Sequence, residues 1–202
     1  MDSDNTLEYA TARSLIRDGD VLFFRGRGFV SSAIMAQTGS SYSHVELAQW
    51  NLGQLMTMGA TSHGTVYRRL SSIIGEYSSV AVARVPFGPQ EGWPAKQVER
   101  ETVRQALRNA LAHLGRPYDF ADIAKIWWRD RLGLGHTTRD RKSDQDKFIC
   151  SEFVAAAYSA AGVDLVPNKP DRLTTPQDIA RSVDLQIMFS FEPPTQESPD
   201  AA

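Results

Sequence analysis

The order in which strand-like and helix-like segments occur is the feature that most limits the fold of this chain. Alternation or β-favouring composition predicts strands at about 44–50, 54–60, 64–69 and 79–85. The turn Asn51-Leu52-Gly53 joins the first two directly, which is how neighbouring antiparallel strands are connected. Most helical patterns come after these strands. The order therefore predicts an α+β domain in which a small antiparallel sheet packs against helices.

Helical spacing supports this arrangement in the second half of the chain. A helix is predicted over about 95–114, closed by Gly115, and its apolar face consists of Val103, Ala106, Leu107, Ala110, Leu111 and Leu114. Another helix is predicted to begin after Thr175, where an N-cap threonine, a proline and an acidic residue occur in succession. A last strand is predicted at 184–191.

The chain is long enough for one domain with short additions at either side. Of its 202 residues 42% are hydrophobic, which is enough for a core. Residues 1–17 are predicted to be an N-terminal extension and residues 18–191 a single domain. Residues 192–202 are polar and rich in proline, and they are predicted to be disordered.

Charge and cysteine content exclude several classes of function. The formal net charge of −2 argues against a nucleic-acid-binding surface. The single cysteine excludes an intrachain disulfide framework and a multi-cysteine zinc site, and the four histidines lack metal-ligand spacing. We therefore expect no metal and no cofactor. A free thiol fits a reducing compartment, and the sequence leaves the oligomeric state open.

The sequence predicts neither a membrane-spanning nor a secretory segment. No run of about 18 apolar residues occurs in the chain. Met1 to Arg17 carry acidic residues and no apolar stretch of signal-peptide length. The default expectation is a cytoplasmic protein.

Cys150 lies where a helix is predicted to begin. The apolar residues after it have helical spacing up to Gly162: Phe153, Val154, Ala157, Tyr158 and Ala161. A thiol at a helix N-terminus meets the positive end of the dipole and unpaired backbone N–H groups, and both favour the nucleophilic thiolate. A lone cysteine is more often an inert buried residue, so its position alone does not make Cys150 a nucleophile.

His44 is the predicted partner of this thiol. It begins a predicted strand after the Gly/Ser-rich turn 39–43. A histidine at a strand start, facing a helix that begins with cysteine, has the geometry of a Cys–His pair. Such an imidazole takes the thiol proton and later donates it to the leaving group. The alternative for a histidine in isolation is a local hydrogen bond to the backbone.

Six segments carry a resemblance to a known family: 18–24, 34–38, 42–45, 114–119, 150–154 and 175–179. In this order and spacing they resemble the circularly permuted NlpC-type papain-like cysteine peptidases, a branch that includes the lecithin:retinol acyltransferase-like proteins. In the unpermuted family the cysteine helix precedes the histidine strand, whereas here His44 comes first, as in the permuted branch. The resemblance runs from about residue 18 to residue 182. It implies a permuted papain-like fold with Cys150 as the nucleophile.

The chain departs from this family at the residue that orients the histidine. Family members follow the histidine strand with a strand that ends in an acidic residue, and Gly59 occupies that position here. The nearby alternatives for an orienting group are Glu46, Thr61 and His63. Glu46 lies two residues from His44, so both side chains are expected on one face of the sheet.

The predicted function is that of a cysteine hydrolase. It would cleave an amide (peptide or isopeptide) or ester bond through a thioester on Cys150, with His44 as general base and acid. The resemblance implies peptidoglycan peptides as substrates. It also implies that Tyr118 lies close to the nucleophile. A tyrosine in the core whose hydroxyl is hydrogen-bonded explains Tyr118 equally well. The alternatives are a lipid acyltransferase or amidase acting on a lipid-like substrate, and a non-catalytic binding module, which Gly59 alone supports.

Overall fold

Seven strands form one sheet in the computed structural model, which describes residues 6–28, 31–32, 35–36, 39–86, 100–117 and 149–194. Their bounds are β1 (Thr6–Glu8), β2 (Val21–Gly26), β3 (His44–Asn51), β4 (Gln54–Thr61), β5 (Gly64–Arg69), β6 (Tyr77–Arg84) and β7 (Gln186–Glu192). The order across the sheet is β1-β7-β6-β2-β3-β4-β5. Neighbouring strands are antiparallel, except that β1 and β7 run parallel.

The helices for which the structure gives bounds are α1 (Tyr9–Leu15), α2 (Arg100–Ala112), α3 (Cys150–Ser159) and α4 (Pro176–Ala180). Together with the sheet they confirm the predicted α+β class. The predicted cap of α4 is present, because Thr175 Oγ1 accepts a hydrogen bond from Asp178 N at 3.2 Å and the Asp178 carboxylate accepts one from Thr175 N at 2.7 Å. No helix within the described ranges is long and apolar enough to cross a membrane.

The sheet is larger than the small antiparallel sheet predicted from the sequence. The N-terminal extension contributes β1 and α1, and β1 pairs with β7 with Thr6 opposite Ser190. Because β1 spans only three residues, no alternation marks it in the sequence. Ala12 and Ile16 are 0% and 2% exposed, so this part of the chain belongs to the folded core.

The sheet is covered on both faces, because alternate residues of its central strands enter different cores. Along β2, Val21 and Phe23 join a first core that includes residues of α2 and α3, whereas Leu22 and Phe24 join a second core. All four side chains are fully buried. Burying one such phenylalanine contributes about 2 to 3 kcal/mol, so β2 is the strand on which the two cores depend.

A buried ion pair joins the start of β2 to the end of β6. The Asp20 carboxylate accepts two hydrogen bonds of 2.7 Å from Arg84 and one of 2.8 Å from Arg17 N. Burial raises the pKa of Asp20, and the hydrogen bond and charge of Arg84 oppose that rise. Beside this pair, the Tyr158 hydroxyl of α3 donates to Gly19 O at 2.5 Å. The C-terminal half of α3 is thereby fixed, which determines where its first residue lies.

Candidate active site

Hydrogen bonds from two directions fix the loop that leads into β3. Ser43 N donates to Phe24 O at 2.9 Å, so β2 holds the residue directly before His44. On the other side of the loop, Ser41 N donates to Oε1 of Gln177, a residue of α4, at 3.0 Å. The position of His44 therefore depends on both the sheet and a helix that is distant in sequence.

α3 begins at Cys150, as the sequence predicted, and it ends before Gly162, whose φ is 85°. The N-cap residue Ile149 makes no side-chain hydrogen bond to the first turn, so the cap leaves that turn's N–H groups to other acceptors. The Ser151 hydroxyl donates to Thr174 O in the protein interior and anchors the turn. Cys150 itself is 8% exposed, at the margin of the first core.

The structure brings His44 and Cys150 together. The thiol lies close enough to the imidazole ring to raise the pKa of His44. Nε2 of the ring lies 2.8 Å from Oε1 of Glu46, which leaves Nδ1 as the nitrogen for the thiol. The His44 side chain is 14% exposed, whereas that of Glu46 is fully buried. A thiol, an imidazole and a carboxylate thus follow one another from the margin of the core into the sheet.

Glu46 is the one orienting candidate that contacts the imidazole in the described part of the chain. Thr61 and His63 lie at the turn between β4 and β5. Thr61 Oγ1 donates to Gly64 O at 3.1 Å and accepts from His63 N at 3.2 Å, and the His63 side chain is exposed. These hydrogen bonds serve the turn, and neither side chain has one to His44.

Gly59 leaves the space that the Glu46 side chain occupies. The pairing of β3 with β4 runs up to Leu47 and Met58, so Glu46 and Gly59 come next on adjacent strands. A Cβ atom at position 59 would lie 2.5 Å from Cγ of Glu46 and 3.1 Å from its Oε1. Gly59, which stands where an acidic residue was expected, therefore leaves room for the acidic side chain of Glu46 on the neighbouring strand.

Glu46 is ionised although it is fully buried. Burial alone raises its pKa, but the hydrogen bond and charge of His44, followed by the charge of Arg68, outweigh burial and lower the pKa to about 2. Nη2 of Arg68 lies 2.7 Å from the same Oε1 that the imidazole contacts. One carboxylate oxygen is thus shared by two cationic groups.

The imidazole of His44 is held in its protonated form. Burial alone lowers its pKa, whereas first Cys150 and then Glu46 raise it, and the net effect is a pKa of about 10. The charges around His44 therefore favour the imidazolium at neutral pH.

Two aromatic rings pack against the imidazole. The centroid of the Phe24 ring lies 5.7 Å from that of His44 with a tilt of 40°, and the Tyr77 ring is stacked at 6.5 Å with a tilt of 5°.

Tyr77 and Arg68 were not among the candidates from the sequence. Tyr77 lies on β6 and Arg68 on β5, and each of these strands is two positions away from β3, on opposite sides of it. No local sequence motif therefore indicates that these two residues approach the site.

One predicted site residue lies outside the described residues. Tyr118 was expected near the nucleophile, and the described part of the chain stops at residue 117 and resumes at residue 149. Its role stays a prediction.

No family model matches the chain, and a search of curated proteins found no match. Among solved structures, the fold is similar to that of the metalloprotein yiiX from Escherichia coli O157:H7, described as DUF1105. The TM-score is 0.60 and the sequence identity 21%, and the match covers 84% of this chain and 94% of the other. At this identity the likeness concerns the fold alone.

One prediction is corrected by these findings. The motifs predicted membership of the permuted NlpC-type papain-like branch, and this is wrong: no family model matches, and the structural likeness is to a DUF1105 protein. The motifs are short, and residues such as a glycine before a proline or a proline at the start of a helix recur wherever turns and caps require them. The α+β class and the contact between Cys150 and His44 do not depend on that family.

Proposed function

We propose that this protein is a cysteine hydrolase that cleaves an amide or ester bond through a thioester on Cys150. The observation that carries the proposal is the succession of thiol, imidazole and buried carboxylate formed by Cys150, His44 and Glu46. A nucleophile, a base in contact with it and a third group that orients the base are the parts that acyl transfer requires.

The first half of the proposed reaction forms the thioester. The Cys150 thiolate attacks the carbonyl carbon of the substrate, and the carbonyl electrons move onto oxygen. Backbone N–H groups at the start of α3 stabilise that oxyanion, since the N-cap side chain does not bond to them. The His44 imidazolium then donates its proton to the leaving amine or alkoxide as the bond to the acyl carbon breaks.

The second half returns the enzyme to its starting state. Neutral His44 takes a proton from water, and the resulting hydroxide attacks the thioester carbon. The intermediate collapses, releases the carboxylic acid and restores the thiolate beside the imidazolium. Throughout, Glu46 accepts the Nε2–H hydrogen bond, which keeps Nδ1 directed at the sulfur.

A metal ion does not fit the described residues of this site. One solved structure with a similar fold is described as a metalloprotein. Within the described residues, no group of three or more His, Cys, Asp or Glu side chains is placed to hold an ion. In addition, Arg68 Nη2 and His44 Nε2 both approach Oε1 of Glu46, and these cations would repel a metal there. No step of the proposed reaction is therefore assigned to a metal.

The proposal is tested by alkylation of the native protein with iodoacetamide. Because Cys150 is the sole cysteine, each mass increment reports that thiol without background. At about pH 6, well below the roughly 8.5 at which a free thiol titrates, the native protein should react faster than the same chain unfolded in denaturant. His44→Ala should remove the difference, whereas His63→Ala, which changes an exposed histidine, should leave it.

Turnover then separates an enzyme from a binding module. Activated esters and anilides of varied acyl groups should be hydrolysed by the wild type and not by Cys150→Ala or His44→Ala. If native and unfolded chains alkylate alike and no substrate depends on Cys150, the hydrolase proposal is wrong and the binding-module hypothesis replaces it.

A further inference from the structure

Arg68 is the second cationic group at the Glu46 carboxylate, and it differs from His44 in one respect. The imidazole gives up its proton and regains it in each cycle of the proposed reaction. The guanidinium keeps its charge at every pH at which a protein is folded. When His44 is neutral, Arg68 is therefore the one positive charge among the described residues that still contacts the buried Glu46.

A buried carboxylate without a cation becomes protonated, because burial disfavours its charged form. A protonated Glu46 would lose the charge that stabilises the imidazolium, and it would accept the Nε2–H hydrogen bond of His44 more weakly, because that bond is no longer charge-assisted. Glu46 is 0% exposed, so water does not supply the missing stabilisation. The half of the cycle in which His44 is neutral is thus the half in which Glu46 needs Arg68.

We infer that Arg68 is a positioning residue, whose guanidinium keeps the Glu46 carboxylate charged and directed at His44 while the imidazole is neutral. This inference rests on the proposed function. Nη2 of Arg68 contacts Oε1 of Glu46 at 2.7 Å, and Nε2 of His44 contacts the same oxygen at 2.8 Å. One oxygen bound from both sides fixes the direction of the carboxylate as well as its charge.

The sheet is built so that Arg68 can reach this oxygen. Arg68 lies on β5 opposite Thr57 of β4, and β4 separates it from β3. Gly59, two residues further along β4, carries no side chain between the two strands, and Glu46 occupies that space. Nε of Arg68 is buried and has no hydrogen-bond partner among the described residues, so the guanidinium holds Glu46 through Nη2 and not through Nε.

Several charged or titratable groups surround the carboxylate. His44 lies on β3, Arg68 on β5 and Cys150 on α3, and Tyr77 and Glu76 lie at the start of β6 and in the turn before it. Burial lowers the pKa of Arg68, but Glu46, Tyr77 and Glu76 raise it further than burial lowers it. Arg68 therefore stays charged over the whole range in which His44 and Glu46 titrate.

Arg69 provides a matched control. It is the next residue of the same strand, so its side chain leaves the opposite face of the sheet. It is exposed, and its Nε donates to Gln54 Oε1 at 2.9 Å. Arg69→Gln removes an arginine from β5 without touching Glu46, whereas Arg68→Gln removes the charge and retains a hydrogen-bond donor. Arg68→Lys retains the charge and loses the planar fork.

The first measurement does not depend on catalysis. In a Cys150→Ala background, labelled glutamate carboxyl carbons are followed by NMR as the pH is lowered. Arg68→Gln should raise the pH at which Glu46 titrates by at least about one unit, the size expected when an adjacent opposite charge is removed. Arg68→Lys should largely restore the original value, and Arg69→Gln should not change it. An unchanged Glu46 titration in Arg68→Gln overturns the inference.

The second measurement compares two steps on an activated ester. In the proposed cycle, hydrolysis of the thioester starts from neutral His44, whereas alkylation of the resting enzyme starts from the imidazolium. Arg68→Gln should therefore slow release of the acid about tenfold, the factor that one pKa unit represents, and should change the alkylation rate less. A purely structural role would slow both steps equally, so equal slowing contradicts the positioning role. The proposed function fails through a different result, namely a wild-type thiol that reacts like the unfolded one.

Discussion

Among single substitutions at the site, Glu46→Gln tests the orienting role of Glu46 most directly. Glu46→Gln keeps the shape of the side chain and removes the charge that stabilises the imidazolium. In a serine triad the corresponding change costs about 10⁴-fold in rate, and we expect a loss of about 10²- to 10⁴-fold in kcat here. The measurement is ester hydrolysis, with Glu192→Gln, which changes an exposed glutamate at the end of β7, as the control. A loss of less than about threefold would show that Glu46 does not orient His44.

The same carboxylate makes the stability of the protein depend on pH in a defined direction. Folding lowers the pKa of Glu46 from 4.5 to about 2. The stabilisation is therefore complete above pH 4.5 and is lost as the pH falls towards 2. A difference of this size corresponds to about 3 kcal/mol. Urea unfolding of the wild type should show this extra acid sensitivity, and Glu46→Gln should lack it; parallel curves for the two proteins would contradict the assignment.

Gly59 is predicted to matter through the space it leaves. In Gly59→Ala the new methyl group would lie 2.5 Å from Glu46 Cγ, so the carboxylate must move away from His44. We expect destabilisation of about 1 to 3 kcal/mol, typical of an overpacked site, and a loss of turnover similar to that of Glu46→Gln.

A double-mutant cycle checks the cause of the Gly59 effect. With Glu46→Ala already present, the space is empty and Gly59→Ala should cost little, so the two changes should be strongly non-additive in urea unfolding. Additive costs would mean that Gly59 is needed for a reason other than Glu46.

At the residue scale, the sequence predicts the nucleophile and its base better than their supports. Cys150 at a helix start and His44 at a strand start are visible in local patterns, and the structure brings them together. Glu46 was one of three candidates for the orienting group. Its spacing from His44 along β3 does not show whether it, or a residue at the end of β4, contacts the imidazole. Arg68 was not predicted, since its contact requires the register of β3, β4 and β5 together.

At the scale of elements, α4 acts on the site through the loop before β3. Gln177→Ala removes the acceptor of the Ser41 N–H, a contact of 3.0 Å. We expect the free energy of unfolding to fall by about 1 kcal/mol and turnover to fall as His44 becomes less well placed. Hydrogen exchange of the Ser41 amide should become faster.

Two variants separate this contact from a general effect on the helix. Gln177→Glu keeps an acceptor oxygen and should retain protection of the Ser41 amide. Gln186→Ala changes an exposed glutamine of β7 and should leave that amide unaffected. If the Ser41 amide exchanges at the same rate in Gln177→Ala as in the wild type, α4 does not position the loop before His44.

The elements themselves were predictable where the pattern is long enough. The strands between residues 44 and 84 and the helix at Cys150 were predicted close to their observed positions, because alternation or helical spacing extends over several residues. β1 was missed because its three residues carry no period and its partner is at the other end of the fold. The extra strand and its parallel pairing come from tertiary contacts alone.

At the scale of the whole molecule, the pair formed by Asp20 and Arg84 connects β2, β6 and the segment before them. Arg84→Met would leave a carboxylate in a position that is 0% exposed, and breaking a buried pair in this way costs about 3 to 5 kcal/mol. Thermal unfolding should show this loss. Adding Asp20→Asn should recover part of it, because the uncompensated charge is then gone; if the double variant is no better than the single one, the cost lies in packing.

The parallel pair of β1 and β7 has a consequence for the order of events during synthesis. Thr6 and Ser190 contact each other across 184 positions of the chain, so β1 leaves the ribosome long before its partner exists. Contacts of such long range form late, because the intervening loop must first be closed. Until β7 emerges, β1 and one side of β6 present unpaired backbone groups. A nascent chain stalled before residue 186 should therefore recruit chaperones that recognise open sheet edges, and release of the last strand should end that need.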